Sequence, residues 1–334
     1  MGAIGAVFGV VGSFLSWLTS PLSAIMKWRA HQHVVERDQF QDHCSSYKER
    51  IAIREKEFEQ ATEGPDKGEK RRRLSGLREE YDQFLEAWQQ RQDLAKLATH
   101  GAITADAPKR PEPEREQLRV LADGSARLPE AVLDGLDYFI RGNAYHETGD
   151  NEHALAAYNR SLELVPDNPI ALYNRGITLR KLERYEEALK DFNRALELRP
   201  DDPDTLNGRG NTLRKLERYE EALEAYNRAL ELRPDDPNTL ANRSSPLIKL
   251  GRYDDALRDI NRALELKPDH STALYNRACA YSLMGRFEKA VRDLEAAIKG
   301  DEKLREVTRA DEDFEKLRID PQHGPRFREL VGEE

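Results

Sequence analysis

Between Gly135 and Leu304, apolar residues recur three and four positions apart in short runs separated by polar turns, which predicts a succession of short amphipathic helices. In the stretch from Pro169 to Asp202, Leu172, Leu179 and Leu182 form one stripe, and Tyr185, Ala188, Leu189, Phe192, Leu196 and Leu198 form the next. The pattern repeats. Pro166, Pro200, Pro234 and Pro268 are spaced 34 residues apart, and Ala154, Ala188, Ala222, Ala256 and Ala290 keep the same step. A fixed period of this length is the signature of stacked, near-identical helix pairs, none of which can bury its apolar face alone.

The residues within one period specify helix, turn, helix. Small Gly176 and Ala188 let two antiparallel backbones approach closely, and Pro200 closes the second helix because it has no N–H to donate. Asp202 then serves as a cap for the next helix, with Pro203 at its first position. Thr178 to Leu189 is repeated residue for residue as Thr212 to Leu223. Taken together, period, small residues and closing proline make this region resemble the tetratricopeptide repeat (TPR) of bacterial proteins.

The expected fold is therefore all-α: five repeats over 135–304 and a capping segment over 305–334, preceded by a membrane-type helix and a helical hairpin or stalk. In the first copy Tyr138, Gly142, Tyr145, Ala154, Tyr158 and Pro166 carry the pattern, and in the last the closing proline is replaced by Glu302. Pro246, inside a first helix, removes a bond to Asn242 and predicts a kink or early break.

Upstream of the repeats the pattern changes. Gly2 to Met26 carries no charged side chain, and as a helix it would extend about 37 Å, enough to cross a hydrocarbon core. Residues 1–27 are thus expected to form a single transmembrane helix, and Lys27 and Arg29 favour a cytoplasmic repeat region. Gly2, Gly5, Gly9, Gly12 and Ser16 lie on one seam suited to close helix packing, and the seam continues through Phe40, Cys44, Tyr47 and Phe58. This predicts a charged amphipathic helix over 28–61 and a homo-oligomer built on the seam. A second amphipathic helix over 69–99, striped by Leu74, Leu77, Tyr81, Phe84 and Trp88 with Arg91 filling one gap, is expected to fold back on the first. Pro108, Pro111 and Pro113 mark 100–130 as a linker with one short helix around Glu114 to Leu121.

Charge and chemistry narrow the function. The net charge is −9, which argues against nucleic-acid binding through phosphate neutralisation. Cys44 and Cys279 match no metal or redox spacing, and His31, His33 and His43 do not share a helical face, so no metal is expected. No phosphate loop, nucleophile elbow or His-Glu-x-x-His motif occurs. No enzyme and no cofactor are expected.

The resemblance implies instead that the first helix of each unit lines a concave groove for a protein or peptide partner. Carried onto this sequence, the inward-facing pattern selects Phe139, Asn143, Tyr173, Asn174, Ile177 and then Arg180 and Lys181. Further along it selects Asn207, Asn211, Arg214, Lys215, Asn242, Lys249, Tyr275 and Asn276. Arg180 and Arg214, and Lys181, Lys215 and Lys249, repeat at 34 and form a basic ladder suited to an acidic or extended partner. Asn211 and Asn242 echo the family's carboxylate clamp, but Asn207 and Thr272 stand where that clamp needs basic residues, so chaperone binding is not implied. A second ladder, Arg141, Arg175, Arg209, Arg243 and Arg277, faces Asp191, Asp259 and Asp293 at another repeat position and predicts ion pairs inside each unit. The expectation is a membrane-tethered adaptor; the alternative is a membrane-acting oligomer, a pore or bundle regulated by the array.

Overall fold

The structure, a computed structural model, describes residues 41–61, 65–99, 112–128 and 133–333. The chain divides into two compact units, the first ending at Ile140 and the second beginning at Arg141.

In the first unit a helix over 41–59 (α1) precedes α2 (Pro65–Thr99). They run antiparallel. The rings of His43 and Tyr47 lie 5.6 and 5.7 Å from that of Phe84, and further along Arg78 donates to Glu55 at 2.5 Å. Cys44, Phe84, Ala87 and Leu128 form the buried centre. Helix α2 starts within the breaker-rich stretch before residue 69, since a proline is harmless in a first turn, where its missing N–H has no helical partner. The short helix expected around Glu114 to Leu121 is present and longer: α3 (Glu112–Ser125) packs on α2 and fully buries Leu118 and Ala122. Arg91, the gap in the stripe, is buried and donates two hydrogen bonds to Asp137 at 2.6 and 2.9 Å, with its guanidinium 4.6 Å from the Trp88 ring centre.

The expected single-pass membrane placement is corrected here. Among the described residues no helix is long and apolar enough to cross a membrane. Helix α2 is long enough but carries charge along its length, as at Lys70 to Arg73 and Glu79-Glu80. The proposed spanning segment over 1–27, with Gly2, Gly5, Gly9, Gly12 and Ser16, lies outside the described residues.

Helix α4 (Gly135–Thr148) leads into the second unit, where helix pairs follow one another: α5 (Asn151–Leu164), α6 (Pro169–Lys181), α7 (Tyr185–Leu198), α8 (Pro203–Lys215) and α9 (Tyr219–Leu232). Then come α10 (Pro237–Lys249), α11 (Tyr253–Leu266), α12 (Ser271–Leu283) and α13 (Phe287–Gly300). From α6 to α12, each first helix packs on its own second helix and on the preceding second helix; α6, α8 and α10 also pack on the next first helix, and α12 packs on the segment that closes the array.

The local causes are repeated too. Asn168, Asp202, Asp236 and His270 cap α6, α8, α10 and α12 through side-chain acceptors, and prolines start the first three of these helices. The turn between the helices of each pair needs one left-handed residue. Gly149, Gly251 and Gly285 supply it without cost, whereas Glu183 and Glu217 adopt φ near 60°. Helix α10 runs through Pro246 to Lys249, so the early break does not occur. Leu250 N–H still donates to the Pro246 carbonyl at 3.0 Å, and the loosened turn before it is held by Ser244 Oγ donating to Ala241 O at 2.7 Å.

Phe192 shows how a pair closes. Its ring is fully buried, and a Cβ on Gly176 would come within 2.9 Å of it, one on Gly208 within 3.0 Å. At the end of the array, α14 (Leu304–Ala310), a 3₁₀ turn (Glu312–Phe314), α15 (Glu315–Ile319) and α16 (Gly324–Val331) cover the last pair, burying Phe314, Leu317, Phe327 and Val331 completely.

Candidate functional site

The expected groove residues of the second unit stand on α4, α6, α8, α10 and α12, and the structure sorts them by what they already touch. Asn143, Ile177 and Asn211 share one repeat position. Asn143 Oδ1 accepts from the Tyr158 hydroxyl at 2.7 Å and from Asn174 Nδ2 at 2.8 Å; Asn211 Oδ1 accepts from the Tyr226 hydroxyl at 2.9 Å. Ile177, by contrast, lies beside Phe192, which has no hydroxyl to satisfy. The partner of each second-helix ring is thus polar where the ring is Tyr and apolar where it is Phe. Burial pushes the Tyr226 hydroxyl pKa up to about 12, and that of Tyr158 higher still, so both remain donors at neutral pH.

Asn174, Asn242 and Asn276 bridge neighbouring first helices. Asn242 Nδ2 donates to Asn207 Oδ1 at 3.1 Å, and Asn276 Nδ2 donates to Ala241 O at 2.8 Å and to Ser244 Oγ at 3.0 Å. The amides therefore bind the stack together. Asn143, Asn174 and Asn276 are buried, whereas Asn207, Asn211 and Asn242 keep part of their surface in solvent.

The basic ladder is more accessible. Lys181, Lys215 and Lys249 are exposed at the ends of α6, α8 and α10, and Arg180 and Arg214 are half-buried beside them. Lys181 Nζ lies 3.0 Å from His146 Nε2. Lys249 Nζ donates at 2.7 Å to Asp313 of the 3₁₀ turn, and the Tyr275 hydroxyl donates to Asp311. Arg214 and Lys215 have no carboxylate partner among the described residues. Tyr173 packs edge-on against Phe192 at 6.0 Å. Phe139 belongs to the first compact unit.

The second ladder forms the expected ion pairs. Arg175, Arg243 and Arg277 each donate twice to Asp191, Asp259 and Asp293, at 2.6 to 3.0 Å. What the sequence reading missed is their third partner. Arg175, Arg209, Arg243 and Arg277 also donate to Asn159, Asn193, Asn227 and Asn261 of the preceding second helix, at 2.8 to 3.1 Å. These asparagines repeat at 34 as well, and that was their visible signal. Each arginine with an aspartate partner staples one unit to the one before it. Arg209 lacks the aspartate, because Ala225 stands in its place.

Among the described residues one grouping has metal-ligand chemistry. Ligand atoms of Cys279, Asp311 and Asp313 all lie within 4.8 Å of one another. Lys249 already places a cation on Asp313, and Asp311 accepts from both Tyr275 and the Asp313 N–H. Burial and the two carboxylates hold the Cys279 thiol pKa well above its ordinary value, which keeps it protonated and a poor ligand.

Residues 167–235 and 247–319 match family models described as tetratricopeptide repeat, and 142–182 a model described as TPR repeat. The chain belongs to the tetratricopeptide-repeat family, whose arrays are protein–protein interaction scaffolds. No curated protein matches it. Among solved structures it is similar to YrrB, described as a TPR protein with an unusual peptide-binding site, at 31% identity over 51% of this chain and 87% of that one, with a TM-score of 0.42. Two structures of MamA are similar at 21% and 22% identity, covering 49% and 55% of this chain and 95% and 99% of theirs, with TM-scores of 0.43 and 0.45.

Proposed function

We propose that this chain recruits a protein or peptide partner onto the concave face made by its first helices, with α8 at the centre of the contact. The supporting observation is the pair Arg214 and Lys215. The arginines of the second helices are largely neutralised inside the array, as in Arg194 with Asp167 and Glu197, Arg228 with Asp201 and Arg262 with Asp235 and Glu265. Among the described residues Arg214 and Lys215 have no such carboxylate. Cations not neutralised by a carboxylate, beside half-exposed amides, offer charge and directed hydrogen bonds to an extended chain.

The test is a photo-crosslinking residue placed at Lys215 and, separately, at exposed Glu224 on α9. A discrete partner should be captured from position 215 and not from 224. The double variant Arg214→Glu/Lys215→Glu should abolish capture while the helical circular dichroism is unchanged. Equal yields from the two faces, or undiminished capture by the double variant, would overturn the reading.

A further inference from the structure

The chain's own C-terminal segment already occupies one end of the basic ladder. Asp313 accepts from Lys249, the last lysine of the ladder, on α10. Asp311 accepts from Tyr275 on α12, two residues earlier in the same turn. Phe314 is fully buried between Tyr275, whose ring lies 5.9 Å away edge-on, and Phe327 at 5.6 Å. Lys249 and Tyr275 both hold positions that the family resemblance assigns to the groove, so two expected groove residues grip two carboxylates while an aromatic anchor sits beside them.

Closing the array does not require this. The cap is covered by Phe314, Leu317, Phe327 and Val331, all fully buried. The Lys249 side chain remains 41% exposed and reaches from α10 to Asp313, beyond α12. The pair is open to solvent on the lysine side and sheltered on the carboxylate side, where Asp313 is 12% exposed, and it lies outside the apolar cover. Its charge pattern therefore reflects what the ladder accepts more than what the cap needs.

We infer that the partner segment is acidic with an aromatic residue close behind, and that residues 311–314 are an internal stand-in for it, holding the last lysine of the ladder closed. This rests on the groove reading above and adds the partner's chemistry to it. The partner's carboxylates lie on Arg214 and Lys215, and Lys249 becomes available to them only when Asp313 lets go.

The experiment is fluorescence anisotropy with the full chain and a labelled peptide reproducing residues 310–317, beside a control in which the first three acidic residues are replaced by their amides. The amide control and Lys215→Glu are each expected to bind about tenfold more weakly than peptide and wild type, with added salt narrowing the difference. Asp313→Asn, which leaves the buried cap intact, should bind the acidic peptide about threefold more tightly, and Asp313→Asn/Lys249→Gln should lose that gain. Absence of binding, equal affinity for the amide control, or no gain in Asp313→Asn would each overturn the inference. Should any of these occur while Arg214→Glu/Lys215→Glu still abolishes partner crosslinking, the partner chemistry falls and the groove stands.

Discussion

The side chains missing from Gly142, Gly176 and Gly210 are what let Tyr158, Phe192 and Tyr226 lie flat against a neighbouring backbone. In the last two units the facing residues are Ile260 and Leu294, and Ser244 and Ala278 stand where the glycines were. Small faces large, and medium faces medium. A Cβ at position 210 would come within 2.6 Å of the Tyr226 ring, so Gly210→Ala should cost about 1 to 3 kcal/mol in chemical denaturation, and adding Tyr226→Leu should return part of the loss. Glu183 and Glu217 carry the opposite opportunity. A left-handed non-glycine costs about 1 to 2 kcal/mol and glycine's extra chain entropy about 0.5 to 1, so Glu183→Gly should raise the melting temperature. The glycine–alanine spacing was legible in the sequence. That Asn143 and Asn211 serve the Tyr hydroxyls was not, because a repeat position shows recurrence without showing which neighbour a side chain has turned to.

The helices are tied by their ends and by their staples. His270 caps α12: Nδ1 accepts from Ala273 N–H at 3.4 Å while Nε2 donates to Asn238 Oδ1 at 3.0 Å, which requires the neutral ring. Burial, with Lys267 nearby, lowers its pKa in the fold. A lowered histidine pKa means stability that is complete above the unfolded value of about 6.5 and is lost as pH falls from there towards the folded value. The unfolding midpoint should therefore drop on acidification through that window, and His270→Asn, which keeps a capping acceptor, should flatten the dependence. The arginine staples make a second comparison. Arg243→Ala leaves Asp259 buried without its partner and should cost about 2 to 3 kcal/mol, whereas Arg209→Ala, with no aspartate to strand, should cost under about 1 kcal/mol. Helix pairs and their caps could be read directly from Asp-Pro spacing. The short helix around Glu114 to Leu121 was legible too, but its full extent over 112–125 and its packing were not, because the prolines argue for a linker until α2 is known to offer Leu118 and Ala122 a surface to bury against.

For the array as a whole, stability is a sum over units and the interfaces between neighbours. Deleting residues from 305 onward would bare the surface that Phe314, Leu317 and Phe327 cover, and should lower the melting temperature and promote association at raised concentration. The period announced this architecture at once, while the closing contacts at Asp311 and Asp313 belong to the one segment that departs from the period and so carried no signal. The units are similar in sequence yet not equal in grip. The one beginning at Pro203 holds its own two helices together without the carboxylate that its neighbours use, since Ala225 replaces it. Pulled from its two ends in an optical trap, the array should tear there before it tears at the aspartate-bearing units that begin at Pro169, Pro237 and Ser271, releasing a length of about 120 Å for 34 freed residues. Ala225→Asp should raise the force at which that unit ruptures to that of its neighbours, so a single side chain sets how the unit yields under load.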